Sequence, residues 1–289
     1  MTSRHAVITV ALASIAATPI VRAQGALIVT HTARALAPGE VLVVSVAAPP
    51  AVTGVTAVWR DRPVPFQRAG DGRWEALIGV DVAEAAGPRT LRVVGRRPGA
   101  ADLAAAHAFA VAPKQWRTRR LTVPRRFVDP PPSALPRIRE ETALLNAVFA
   151  AAPTERRWRG PFARPVEGVA VSGFGVRSVL NGQARGPHNG ADFAAGTGTP
   201  IVAPAGGRVV YAREFYYSGN TVILDHGAGL FSTMAHLSAF DVHEGDVVAR
   251  GDLLGKVGAT GRVTGPHLHW AVRLLGARVD PESLFAIAE

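Results

Sequence analysis

From Gln24 to about Ala112 short apolar runs alternate with turn residues. The runs are Ala26 to Val29, Val41 to Val46 after Pro38-Gly39, Val55 to Trp59, Trp74 to Ile78 after Asp71-Gly72, and Thr90 to Val94 before Pro98-Gly99. Strands of this length at this spacing predict a small β-sandwich-like amino-terminal domain over residues 24–113. His31 and His107 stand apart in it and read as ordinary strand or surface residues. Residues 114–165 then read as a basic, Pro-rich linker with one helix at about 134–152. Pro130-Pro131-Pro132 bars a helix or central strand. Within Ser133 to Ala152, Ile138, Leu145, Val148 and Phe149 fall near helical spacing, with Ser133 placed to cap the start and Pro153 to close the end. The apolar stripe reads as packing rather than a binding surface.

From residue 166 to 289 the pattern changes to dense glycine and short strands. They are Arg208 to Ala212, Thr221 to Asp225, Phe231 to Ala235, Val247-Val248, Leu253 to Val257 and His267 to Leu274, separated by turns such as Gly206-Gly207 and Ser218-Gly219-Asn220. No helix of ordinary length fits between them. The fold class is therefore mainly β, with a compact antiparallel domain at the end.

Met1 to Ala23 has a basic start, the apolar run Ala6 to Ile20 and the small-residue site Val21-Arg22-Ala23, which reads as a secretory signal too short to span a membrane. No later segment is long and apolar enough to span, so the expected location is outside the cytoplasm, in the periplasm or secreted. The absence of cysteine excludes disulfides, thiolate metal sites, a cysteine nucleophile and a lipid-bearing cysteine. Any metal must use His, Asp or Glu. The net charge of +10 is uneven: residues 1–165 carry 23 basic against 11 acidic side chains, and residues 166–289 carry 9 against 11. For an exported protein the basic excess suits an anionic envelope polymer or a solvated linker face, and nucleic acid is not an expected partner.

Chemistry gathers in the last domain. His267 and His269, one residue apart in a predicted strand, project from the same face. His188 and Asp192 supply a second cluster, and together the four offer three metal ligands and a spare histidine, the number a catalytic zinc site uses. A straight strand would hold His188 and Asp192 about 13 Å apart, so a bend is needed. Asn189-Gly190 is expected to supply it, because both residues tolerate left-handed backbone. His226 and His236 also stand at predicted strand ends.

The run His188 to Phe193 with Gly198-Thr199-Pro200, then Ala235-His236-Leu237, Glu244 to Val248, and Gly258 to Gly261 before Gly265-Pro266-His267-Leu268-His269 resembles the lysostaphin-type, or LytM, zinc peptidoglycan endopeptidases over about residues 168–280. The preceding β-rich segment, basic linker and helix resemble the amino-terminal domain of some bacterial members. The resemblance implies one zinc ion per chain on His188, Asp192 and His269, catalytic histidines at His236 and His267, and peptidoglycan peptide stems as substrate. Two positions depart from the family pattern: Met234 replaces a usual aromatic residue, and Arg262-Val263 takes a place often held by a small hydroxyl residue. His226 reads as packing or support, and His243 as a surface residue. A metal-free activator of another wall hydrolase is the alternative, and it expects lost ligands. A biotinyl or lipoyl carrier is suggested by Glu244 to Val248 but lacks a lysine in a suitable motif. The bond cut, any regulatory protein and any occlusion of the cleft are not legible.

Overall fold

The structure, a computed structural model, describes residues 25–151, 155–168 and 170–287. The expected signal sequence, with Ala152 and Pro153, lies outside the described residues. Two four-stranded antiparallel sheets open the fold. One runs Ile28–Ala33, Val41–Ala47, Trp74–Gly79, Gln67–Arg68 in spatial order, and the other Arg62–Pro65, Gly54–Trp59, Gly87–Arg96, Leu103–Val111. Period-two alternation decides which side chains turn inward: Val55, Ala57 and Trp59 are buried while Thr56 and Val58 are exposed. Leu42, Val44, Val46 and Ile78 of one sheet share a core with Leu91 and Val93 of the other. Trp59 donates its indole N–H to Gly79 O at 2.8 Å, so burying the ring strands no donor. His31 and His107, expected to stand apart, are paired. His31 Nδ1 lies 2.7 Å from His107 Nε2, with the Phe109 ring 5.6 Å from that of His31. The pairing joins strands 76 residues apart, which no local pattern encodes.

This sandwich docks on the last part of the chain through charge and close packing. Arg278 donates its backbone N–H (2.8 Å) and two guanidinium bonds (3.1 and 2.6 Å) to the buried Asp81 carboxylate. A Cβ at Gly79 would stand 2.8 Å from Val279 Cγ1, so the residue must be glycine for the two parts to meet. Burial alone would raise the Asp81 carboxyl, but the Arg278 bonds outweigh it and hold it at about 2. Because this lies below the unfolded value of about 4, the stabilisation is full above that pH and is lost as acid carries the carboxyl through its folded value. Asp81→Asn should therefore lower stability at pH 7 by roughly 2–4 kcal/mol. Urea unfolding at pH 7 and at pH 2 to 3 checks this: the gap between variant and wild type should narrow as the pH falls toward the folded value of about 2.

The last part of the chain forms a sheet of ten strands, with a central path Ala170–Ser172, Gly190–Phe193, Leu268–Leu274, Leu230–Phe240, Gly219–Asp225, Gly207–Phe215, Val247–Val248. All neighbours on it are antiparallel. The long strand Leu230–Phe240 changes partner along its length. Up to Ala235 it pairs with Leu268–Leu274, and from Leu237 with Leu253–Val257. His236 stands at the switch.

A three-stranded sheet joins Gln183–Pro187, Arg177–Leu180 and Thr118–Leu121, the last in parallel. The basic stretch before the helix thus contributes a strand beside the last domain. The helix spans Leu135–Ala150, and Glu141 accepts the Tyr216 backbone N–H at 2.8 Å while Phe149 meets Phe231 edge-on at 5.6 Å. Ser133 does not cap it. A 3-10 turn, Pro132–Ala134, runs directly into the helix, leaving Ala134 at the cap position with no side-chain bond, and Pro136 sits in the first turn. No helix among the described residues is long and apolar enough to cross a membrane.

Candidate active site

Strand register brings the candidate residues together. Asp192 and His269 are direct partners across the Gly190–Phe193 and Leu268–Leu274 ladder, and Ala235 is the partner of His269 on its other side. His188 lies two residues before the first of these strands and is tied by its backbone to Val176 O (2.9 Å) and Gly175 N (2.8 Å). The bend after His188 is made without left-handed backbone: neither Asn189 nor Gly190 has positive φ. Gly190 is required for a different reason. A Cβ there would lie 2.4 Å from Trp270 O and 2.7 Å from His269 Cε1, so only glycine lets the His269 ring lie against the strand.

Three polar atoms then face one another. His188 Nε2 lies 3.0 Å from His269 Nδ1 and 3.0 Å from Asp192 Oδ1, and His269 Nδ1 lies 2.8 Å from the same oxygen. Four-coordinate zinc with bonds of about 2.0–2.1 Å spaces its ligand atoms by roughly 3.3 Å, so the triangle has the size such an ion needs. Proton bookkeeping points the same way. His188 Nδ1 is 3.1 Å from Gly173 O, and a carbonyl can only accept, so in the neutral ring Nε2 carries a lone pair. That lone pair faces the Asp192 oxygen, another acceptor, and one proton on His269 Nδ1 cannot satisfy both. A cation at the centre satisfies all three. Burial would raise the Asp192 carboxyl, yet the His188 and His269 imidazoles beside it hold it far below the usual carboxylate range. Burial lowers His269, against the opposing Asp192 bond.

His236 and His267 stand beside the triangle. His236 has φ +71°, a left-handed conformation that costs about 1–3 kcal/mol in a non-glycine residue and is found where surroundings over-determine it. Here its N–H is bonded to Ser218 O (2.9 Å) and its Nδ1 to Thr260 O (2.8 Å). His267 Nδ1 is held by Gly265 O at 2.9 Å, and its Nε2 lies 3.7 Å from Asp192 Oδ1. The His236 and His267 rings are 5.0 Å apart. Burial, then the nearby His269 and His267, push His236 down to about 3. Both rings use Nδ1 on a carbonyl and so keep Nε2 for chemistry.

All five residues line one cleft of about 470 Å³. His226 lies elsewhere: fully buried, it spans Gly206 O (2.7 Å) and Ser232 Oγ (2.9 Å), and burial lowers it to about 4. It holds the core. His243 is a surface residue whose nearest acid is Asp246 at 3.8 Å. Two contributions to the cleft escape sequence reasoning. Arg119, on the Thr118–Leu121 strand, reaches Asp192 Oδ2 at 3.7 Å and donates to Ser178 Oγ (3.1 Å) and Ser172 Oγ (2.5 Å). Leu145 and Phe149 of the helix line the opening, so the stripe read as packing also forms a cleft wall. Nothing local marks Arg119 among its basic neighbours.

The sequence profile of Peptidase family M23 matches residues 186–281. A solved structure described as a putative peptidase M23 from Pseudomonas aeruginosa is 34% identical with a TM-score of 0.67, over 87% of this chain and 95% of that one. Peptidoglycan DD-endopeptidase ShyA of Vibrio cholerae is 37% identical over 137 residues, 47% of this chain and 30% of that protein. DD-carboxypeptidase/endopeptidase Mpg of Neisseria meningitidis is 44% identical over 97 residues, 34% of this chain and 22% of that protein. The matches span less than a third of these two curated relatives.

Proposed function

The chain belongs to peptidase family M23, and from that premise we propose that it is a zinc-dependent endopeptidase hydrolysing peptide cross-links in bacterial peptidoglycan. The observation that carries the reading is the triangle of His188, Asp192 and His269 with His236 and His267 beside it in one cleft. The first three hold a single zinc ion. When bound, zinc supplies Lewis acidity toward the scissile carbonyl and lowers the pKa of water toward neutrality. His236 and His267 do the proton work. Pinned through Nδ1 to Thr260 O and Gly265 O, each offers a free Nε2 toward the cleft. One such ring accepts a proton from the attacking water and passes it to the leaving amine, while the N–H it carries in between hydrogen-bonds the developing oxyanion. The Asp192 carboxylate would supply the anionic ligand of the three, with the Arg119 guanidinium 3.7 Å from its other oxygen.

The bond assigned is the D-alanyl to diaminopimelyl amide of cross-linked stems, and the site of action is the periplasm. The names of the curated relatives, DD-endopeptidase and DD-carboxypeptidase/endopeptidase, support a wall peptide as substrate. The activator alternative expects a degraded ligand set, and the complete set favours the enzyme. Purified peptidoglycan incubated with the protein should lose cross-linked dimers to monomers by mass, with chelator abolishing and zinc restoring the reaction. Release of intact stems from glycan would assign an amidase instead, and cleavage only when a second hydrolase is added would assign an activator.

A further inference from the structure

The charge of the cleft is lopsided. Among the described residues, four arginines line it, Arg119, Arg185, Arg262 and Arg273, and Asp192 is the sole acidic one. Three of the four are engaged. Arg119 is spent on Asp192 and two serines, Arg185 donates to Val128 O and Gln183 Oε1 at 2.9 Å each, and Arg273 lies over the Phe149 ring at 5.0 Å with a bond to Gly276 O. Arg262 differs. Among the described residues its guanidinium has no acidic partner and no hydrogen bond, only a stack over Tyr217 at 4.8 Å. Burial pushes its pKa below the ordinary guanidinium value, with Tyr217 opposing the shift and the like charge of nearby Arg185 adding to it.

Its backbone is held rigidly next to the catalytic histidines. The Arg262 N–H donates to Tyr217 O at 2.8 Å, and two residues earlier Thr260 O holds His236 Nδ1 while Thr260 Oγ1 donates to Leu237 O. Gly258 and His267 close the same loop with a β-bridge. A part-buried, unpaired guanidinium on such a loop is pre-organised for an anion arriving with the substrate.

We propose that Arg262, with Arg185 beside it, is a specificity-determining residue that recognises a free carboxylate on a residue flanking the scissile amide. The inference rests on the proposed reaction and names its substrate class: carboxylate-bearing cross-links, and not neutral glycyl bridges. The assigned bond fits, because the diaminopimelyl residue carries a carboxylate on the carbon attached to the scissile nitrogen. The arginine that stands where the family often has a small hydroxyl residue thereby acquires a role.

The test uses two synthetic cross-linked peptides that differ only in whether that carboxylate is free or amidated. The zinc-loaded full chain should cut the free form about 10- to 100-fold faster in kcat/KM, the range of a charge-assisted hydrogen bond. Arg262→Gln should bring the ratio close to one, and Arg262→Lys should recover part of it. Titration calorimetry of both peptides with His236→Ala, alone and combined with Arg262→Gln, reads the same preference as binding. Equal rates on both peptides by the wild type, or an undiminished preference in a folded Arg262→Gln protein, overturns the inference. If the wild type cuts neither peptide, the proposed reaction falls, and the binding preference still decides the role of Arg262.

Discussion

Replacing His236 with alanine is expected to leave a folded, zinc-containing protein whose kcat/KM on cross-linked muropeptides is lower by about 10²- to 10⁴-fold, the range of general acid–base catalysis. The triangle of polar atoms does not include His236, and its nearest fixed partners are Thr260 O and Ser218 O, on loops that hold themselves. Thr260 keeps its bonds to Leu237 O and Asn220 N without the imidazole. Position 236 is already left-handed with a Cβ present, so alanine introduces no backbone clash that histidine lacks. What disappears is the Nε2 that moves the proton. Rates on a defined muropeptide dimer, with circular dichroism to confirm the fold, check the expectation.

Asp192→Ala is the second large effect, and it strikes metal and fold together. The carboxylate accepts from His269 at 2.8 Å, faces His188 at 3.0 Å and has Arg119 at 3.7 Å. Removing it leaves the Arg119 guanidinium without its ion-pair partner in a part-buried site, and leaves two imidazoles to hold an ion that wants three protein ligands. Zinc affinity should fall by more than about 100-fold, the upper range for losing a mere supporting partner. Asp192→Asn keeps the shape but not the charge and should fall between the two. Competition with a chromogenic chelator measures both.

Most of the candidate site is legible in the sequence because its residues sit in short motifs at strand ends. His267 and His269 were expected on one strand face; His267 stands just ahead of Leu268–Leu274, bridged to Gly258, yet both line the cleft, and His188 with Asp192 needs only a bend. The reason for that bend was not legible. Asn189-Gly190 suggested left-handed backbone, whereas Gly190 is demanded by the approach of Trp270 O and the His269 ring, a contact with residues about 80 positions away. Arg119 lies 73 positions from Asp192, and its strand pairs in parallel with one that begins at Arg177. The pair His31 and His107 was hidden in the same way. Local pattern predicts which segments become strands, as it does for Thr221 to Asp225 and Leu253 to Val257, but partner choice is settled by long-range packing. The position of His236 was legible, but its left-handed backbone and the partner switch around it were not, since both follow from three strands meeting at one point.

Zinc content per chain in the wild type, Asp192→Ala and His236→Ala, purified in parallel and read by elemental analysis, tests the central assignment most directly. One zinc is expected in the wild type, none in Asp192→Ala and one in His236→Ala. Equal zinc in all three, or its loss from His236→Ala alone, contradicts it.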